Sequence, residues 1–196
     1  MRNPEQTRDK ILKKAGILFN TKGYKATSIS DITDATGFTK GAIYRHFDNK
    51  EELEREGLFY LSGIMFTEVR ERVKAELTAG NKLRAMLRFF ESYITAPVVK
   101  GGCPLLNAAI EADDAHPQLR KTAVRILDIL SQSLITIIEN GIRYNQLKPD
   151  TDKQYFATLI IASLEGAIMM SKLRGNNDDI RIVIKHLEKQ IETIEV

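Results

Sequence analysis

The stretch Ser28–Leu53, SISDITDATGFTKGAIYRHFDNKEEL, decides the fold. Ser28 is placed to cap a short helix, with Asp31 three residues on in the capping-box relation. Ile29 and Ile32 give that helix an apolar face, and Ala35 and Gly37 close it. Glycine suits the left-handed conformation that a tight helix exit needs. Thr39 opens a second helix, with Ile43 and Phe47 facing inward one turn apart. Asn49 caps a third, again with an acid, Glu52, at its third position. Two short helices joined by a glycine turn form a helix-turn-helix, whose second helix can enter the major groove of DNA. The outer face of that helix carries Lys40, Tyr44, Arg45 and His46, which are donors and an aromatic rather than core filler.

Outward from this stretch the charge divides. Residues 1–50 hold ten Lys and Arg against five Asp and Glu, a balance of +5; residues 51–196 hold nineteen against twenty-one, a balance of −2. The net +3 is therefore confined to the end with the helix-turn-helix, as expected of a surface that meets phosphates. A chain of 196 residues, 43% hydrophobic and 28% charged, can bury a sizeable core as one domain or two small ones.

The periodicity predicts helices almost throughout, with no strand pattern and no repeat. The first runs over Pro4–Lys22 with Ile11, Leu12, Ala15, Leu18 and Phe19 in one stripe. A long helix starts near Lys50 and extends to about Leu77, and another covers Lys82–Thr95. After a loop with Gly101-Gly102 at its centre, a short helix is expected over Leu105–Ala112. His116-Pro117 opens a helix that reaches about Asn145, and Lys148-Pro149-Asp150-Thr151 breaks it. Two more follow, over Asp152–Leu173 and Asp178–Ile194.

The order of Gly23-Tyr24, Thr27, Ile29, Asp31-Ile32, Ala35-Thr36-Gly37-Phe38, Lys40-Gly41, Ile43-Tyr44, Phe47 and Lys50-Glu51-Glu52-Leu53 resembles the DNA-binding domain of the TetR family of bacterial transcriptional regulators. Thr33, Thr36 and Phe38 depart mildly from the family pattern by adding bulk at the turn. The resemblance implies an all-α protein. Its head, residues 1–47, would be a three-helix, homeodomain-like helix-turn-helix, and residues 48–196 a helical bundle for effector binding and dimerisation. It further implies a cytoplasmic homodimer on a palindromic operator in double-stranded DNA, acting as a repressor that releases the operator on binding a small hydrophobic effector. By the same resemblance Tyr44 and Lys50 contact the DNA backbone, while Lys40, Arg45 and the early helix positions from Thr39 approach bases; His46 lies beside Arg45 on the groove face. Thr27 and Ser28 offer hydroxyls and backbone N–H groups to a phosphate.

An effector pocket in the body is also implied, a mostly apolar cavity expected between the long helix that starts near Lys50 and the helix that opens at His116-Pro117, for which Tyr60, Phe66, Phe90, Tyr93, Cys103, Leu106 and Asn107 are the candidate lining. The dimer is expected on the last two long helices, at Leu159, Ser163, Ile184 and Leu187.

The remaining chemistry is sparse. Cys103 precedes a helix and follows Lys100, which suits either a thiolate sensor or a small apolar residue that seats the helix. His46, His116 and His186 lack metal-ligand spacing, and Glu111, Asp113 and Asp114 read as a solvated helix end. No metal, cofactor or enzymatic activity is expected, because no phosphate loop, nucleophile elbow or zinc spacing occurs. No secretory leader is expected, since Met1-Arg2-Asn3-Pro4-Glu5-Gln6 leads into a charged helix. The apolar run Tyr155–Met170 is shorter than the ~20 residues of a membrane span and includes Glu165, so it reads as a buried helix with no membrane partner.

Overall fold

A computed structural model of the chain describes residues 3–93, 95–112 and 116–196. Nine helices form among the described residues: α1 (Pro4–Lys22), α2 (Ile29–Thr36), α3 (Lys40–Ile43), α4 (Lys50–Lys74), α5 (Ala79–Glu91), α6 (Pro104–Ala112), α7 (Pro117–Arg143), α8 (Lys153–Arg174) and α9 (Asp178–Ile194). The chain divides into two units, Met1–Met65 with Val99–Ile126, and Phe66–Val98 with Leu127–Val196.

In the first unit, Asn3 opens α1 by accepting the Glu5 N–H at 3.0 Å, and Pro4 takes the first turn, where its missing N–H costs nothing. Ile11, Leu12, Ala15 and Phe19 are buried along one face. The chain leaves α1 through Gly23 at φ 101°, and Tyr24 then stacks on Phe19 with ring centroids 5.2 Å apart. Ser28 and Asp31 form the expected capping box on α2, and Gly37 closes it at φ 72°. Helix α3 differs from expectation. Only Lys40–Ile43 is α-helical, because the His46 N–H bonds to the Ile43 carbonyl three residues back and tightens the last turn. That tightening still delivers Phe47 to the core at 2% exposure, and Ile32, Ile43 and Leu53 are buried as well. Helix α1 packs chiefly on α2, and α2 on α3.

The same unit includes α6 and the preceding loop. Asn20 donates to the carbonyls of Lys100 and Gly102 at 2.8 and 3.0 Å, and Asn107 donates to Asn20 and to the Gly101 carbonyl. Here Gly101 (φ 106°) is required by space as well as by angle, since a Cβ would lie 2.5 Å from the Asn20 carbonyl oxygen.

The second unit is built on α5, α8 and α9, which pack on one another. Helix α5 starts earlier than the apolar stripe suggests, because the Thr78 hydroxyl accepts the Asn81 N–H and caps it. The core takes Leu83, Met86, Leu87, Phe89 and Phe90 from α5, Ile160, Leu164 and Ile168 from α8, and Ile180, Ile184, Leu187 and Ile191 from α9. Arg84 holds the Glu195 carboxylate with both guanidinium arms, at 2.7 and 2.6 Å. Leu147 and Glu195 make an isolated bridge, and no strand forms among the described residues. Helix α8 has the expected length, shifted by one residue, and is long and apolar enough by length and composition to cross a membrane. Its inner face packs within this unit, the behaviour of a core helix.

Candidate nucleic-acid interface and ligand cavity

Three exposed donors lie on α3 and in the turn that follows it. Lys40 is exposed with its ammonium 5.9 Å from the Tyr44 ring, and Tyr44 is 36% exposed. Arg45 is exposed and has no hydrogen bond or ion pair among the described residues. The Thr39 hydroxyl accepts the Ala42 N–H at 3.2 Å, so its role is to start α3. His46 is half-buried and tilts against Phe47.

The preceding segment is less available than its sequence implies. Thr27 is 1% exposed, and its hydroxyl donates to the Gly23 carbonyl at 2.6 Å. Ser28 donates through both its hydroxyl and its N–H to Asp31, each at 2.7 Å, and the hydroxyl accepts the Asp31 N–H. Closing the turn and the capping box therefore consumes the groups assigned above to a phosphate. Lys22 lies 2.7 Å from Asp31; that contact, helped by the Ser28 donors, holds the Asp31 carboxyl far below the usual carboxylate range. Lys50 also turns inward, donating to the Tyr24 carbonyl at 2.8 Å. Burial, aided by Glu111 and Glu54, pushes the Tyr24 phenol well above its ordinary value.

Glu111 departs from the expected solvated acidic end: its carboxylate accepts the N–H groups of Tyr24 and Lys25 at 3.0 and 3.1 Å. Asp113 and Asp114 lie outside the described residues.

A cavity of about 490 Å³ lies in the second unit. Helix α4 contributes Phe66, Val69, Arg70 and Val73, α5 contributes Met86, and α7 contributes Ile129, Leu130, Gln132, Ser133, Thr136 and Ile137. Of the seven expected lining residues only Phe66 is here. Phe90 and Tyr93 are 5% and 1% exposed and fill the core with Phe89. Cys103 is buried, Leu106 half-buried, and Asn107 is committed to Asn20, all in the first unit. Tyr60 lines an open, polar cleft of the first unit with Arg8, Arg55, Phe59 and Arg125. The signal for the cavity was the spacing Phe66, Val69, Arg70, Val73, one helix face with a charge in an apolar row.

The dimer candidates also redistribute. Ile184 and Leu187 are 5% and 1% exposed within the single chain, so they belong to its own core and offer nothing to a partner. Leu159 and Ser163 are half-buried. The uncovered apolar side chains of these helices are Tyr155, Met169, Met170, Leu173 and Ile182.

A capped three-helix head with exposed cations on and just after its second motif helix, followed by a helical bundle, defines a helix-turn-helix DNA-binding protein. Residues 11–56 match the family described as bacterial regulatory proteins, tetR family, and residues 79–187 match the Tetracyclin repressor-like C-terminal domain. A TetR transcriptional regulator from Chloroflexus aurantiacus J-10-FL is similar, with 34% identity, coverage of 100% of this chain and 98% of that one, and a TM-score of 0.94. A TetR-family regulator from Cytophaga hutchinsonii is similar at 37% identity, the same coverage and a TM-score of 0.92. The HTH-type transcriptional repressor DhaR of Mycobacterium sp. (strain GP1) is 24% identical over 173 residues, 87% of this chain and 85% of DhaR. The chain belongs to the TetR family of transcriptional regulators. It is a DNA-binding regulator, and its relatives are regulators rather than enzymes.

Proposed function

We propose that the protein is a cytoplasmic homodimeric repressor that occupies a palindromic operator and leaves it when a small hydrophobic or amphipathic effector enters the α4/α5/α7 cavity. The observation that carries this reading is the course of α4. One continuous helix holds Lys50 on the Tyr24 carbonyl at its start and lines the cavity with Phe66, Val69 and Val73 further on. A ligand that displaces α4 in the cavity therefore acts on the helix that anchors the head. About 490 Å³ is within the range of small-molecule pockets. Repression is supported by the likeness to DhaR, a named repressor.

Arg45, Lys40 and Tyr44 are proposed as the groove and phosphate contacts, since they are exposed. A dimer is supported by the uncovered Met169, Leu173 and Ile182, and by the need of a palindrome for two recognition helices. An inducer must favour the DNA-incompetent state, because equal affinity for both states shifts nothing.

The test is fluorescence anisotropy on DNA from upstream of the gene, titrated with a panel of apolar ligands. Release by at least one ligand, blunted in Ser133→Trp without loss of DNA affinity, is the expected result. Release that persists unchanged in Ser133→Trp would remove the cavity from the mechanism.

A further inference from the structure

Among the described residues, the lining of the α4/α5/α7 cavity carries a single charged group, Arg70, among mostly apolar side chains. Arg70 is exposed and has neither ion pair nor hydrogen bond among the described residues. Its helix withholds one: the positions three and four away are Phe66, Thr67, Val73 and Lys74. The nearby acids are occupied, Glu68 by Arg72 at 3.1 Å and Glu71 by Lys74 at 3.6 Å. The opposing helix offers few donors. The hydroxyls of Ser133 and Thr136 donate to their own helix, to the carbonyls of Ile129 and Gln132 at 2.7 and 2.8 Å. What they present to the cavity is lone pairs, which leaves the Arg70 guanidinium and the Gln132 amide as its donors.

We infer that the cavity takes an amphipathic monocarboxylate, its hydrocarbon body against Val69, Val73, Met86 and Ile137 and its carboxylate on Arg70. This rests on the ligand-responsive reading above. One unpaired cation beside an apolar wall matches one negative charge on an apolar body. A dianionic headgroup would leave a charge uncompensated, and a cationic one would face Arg70. The planar guanidinium fork fits a carboxylate with two parallel hydrogen bonds. Because Arg70 is solvent-exposed, the charged head stays near water while the tail lies against the apolar wall, so the carboxylate does not carry a full desolvation cost.

The experiment is calorimetric titration of the full-length protein with decanoate, decanol and decyltrimethylammonium, each below its micelle concentration. Decanoate is expected to bind about tenfold or more tightly than decanol, as a charge-assisted hydrogen bond implies. The ammonium should bind most weakly. Arg70→Gln should erase the decanoate preference and leave decanol binding unchanged, and Arg70→Lys should restore part of it. Equal binding of decanoate and decanol, or a preference that survives Arg70→Gln, overturns the inference. If both ligands bind equally and Ser133→Trp abolishes both, the acid preference falls while the ligand-responsive reading stands. If neither binds and no apolar ligand releases DNA, both fall.

Discussion

Lys50 places its ammonium 3.0 Å from the carboxylate of Glu54, a side chain only 4% exposed. The same ammonium donates to the Tyr24 carbonyl, so two of its three donors are spent inside the protein. Its first duty is to neutralise a buried acid at the start of α4, with one donor left for a phosphate. Lys50→Ala leaves Glu54 buried without its partner, which should cost on the order of 1–3 kcal/mol. Urea denaturation of the variant should show a lower midpoint with an unchanged slope. DNA titrations on the folded protein should show a uniform loss of affinity and a salt slope reduced by about one. An unchanged midpoint would mean that water already compensates Glu54.

Arg45 is the opposite case, exposed and unengaged. Arg45→Ala should leave the melting temperature nearly unchanged, since surface changes away from a cap or network usually stay within about 0.5 kcal/mol. It should relax preference at particular operator positions by about 1–3 kcal/mol, the worth of a good bidentate base contact. Binding to a set of single-base operator variants would show this. Equal loss on every variant would reassign Arg45 to the backbone.

Much of this was legible in the sequence, and what was not has a physical reason. The caps at Ser28, Thr39 and Asn49 are local signals, and α1 and α9 have the expected bounds. Partners far along the chain leave no local trace. Nothing near Glu111 announces that Tyr24 will need its oxygens, and nothing near Lys50 announces the Tyr24 carbonyl. A cavity does lie between α4 and α7, but its lining was misread, because α5 carries the densest aromatic cluster and such clusters are core. What lines it instead is a mixed face of α4, a pattern that periodicity alone reads as helix surface.

Glu111 spans two consecutive N–H groups with two oxygens, fixing the turn after α1. Gly23 belongs to the same device, since a Cβ there would lie 2.9 Å from Glu111 Oε1 at a φ of 101°. Glu111→Ala should destabilise the protein by about 1–3 kcal/mol and free both N–H groups. Hydrogen exchange should then accelerate at the Tyr24 and Lys25 amides more than at Ile32. Glu111→Gln keeps a single acceptor oxygen and should fall between the two. Uniform acceleration across α1 and α2 would indicate general loosening instead.

Arg84 and Glu195 supply a pH dependence whose sign is fixed. The Arg84 hydrogen bonds hold the Glu195 carboxyl below its ordinary 4.5 in the folded protein. A depressed carboxyl stabilises the fold above its unfolded value and loses that contribution as pH falls through the folded value. The wild-type protein should therefore exceed Arg84→Met in melting temperature at neutral pH, and the gap should narrow below about pH 4.5. Because both side chains are partly exposed, added salt should also narrow it. A gap that stays constant into acid would show that Arg84 acts through packing alone.

Substitutions on the outer face of α8 and α9 would test the proposed dimer apart from folding. Met169, Leu173 and Ile182 are 42%, 80% and 69% exposed, while Ile184 is 5% exposed in the chain's own core. A glutamate at Met169 or Ile182 sits in water in the monomer and costs little there. In a dimer closed by these helices it would be buried without a partner, at a cost of several kcal/mol. Met169→Glu with Ile182→Glu should therefore sediment as a monomer with a near-native helical spectrum. Operator affinity should fall steeply, because each head alone makes too few contacts. Ile184→Glu buries its charge whether or not a partner is present, so it should unfold the protein rather than dissociate it. Sedimentation and circular dichroism on the two variants distinguish these outcomes. A double variant that remains dimeric would move the interface away from this face.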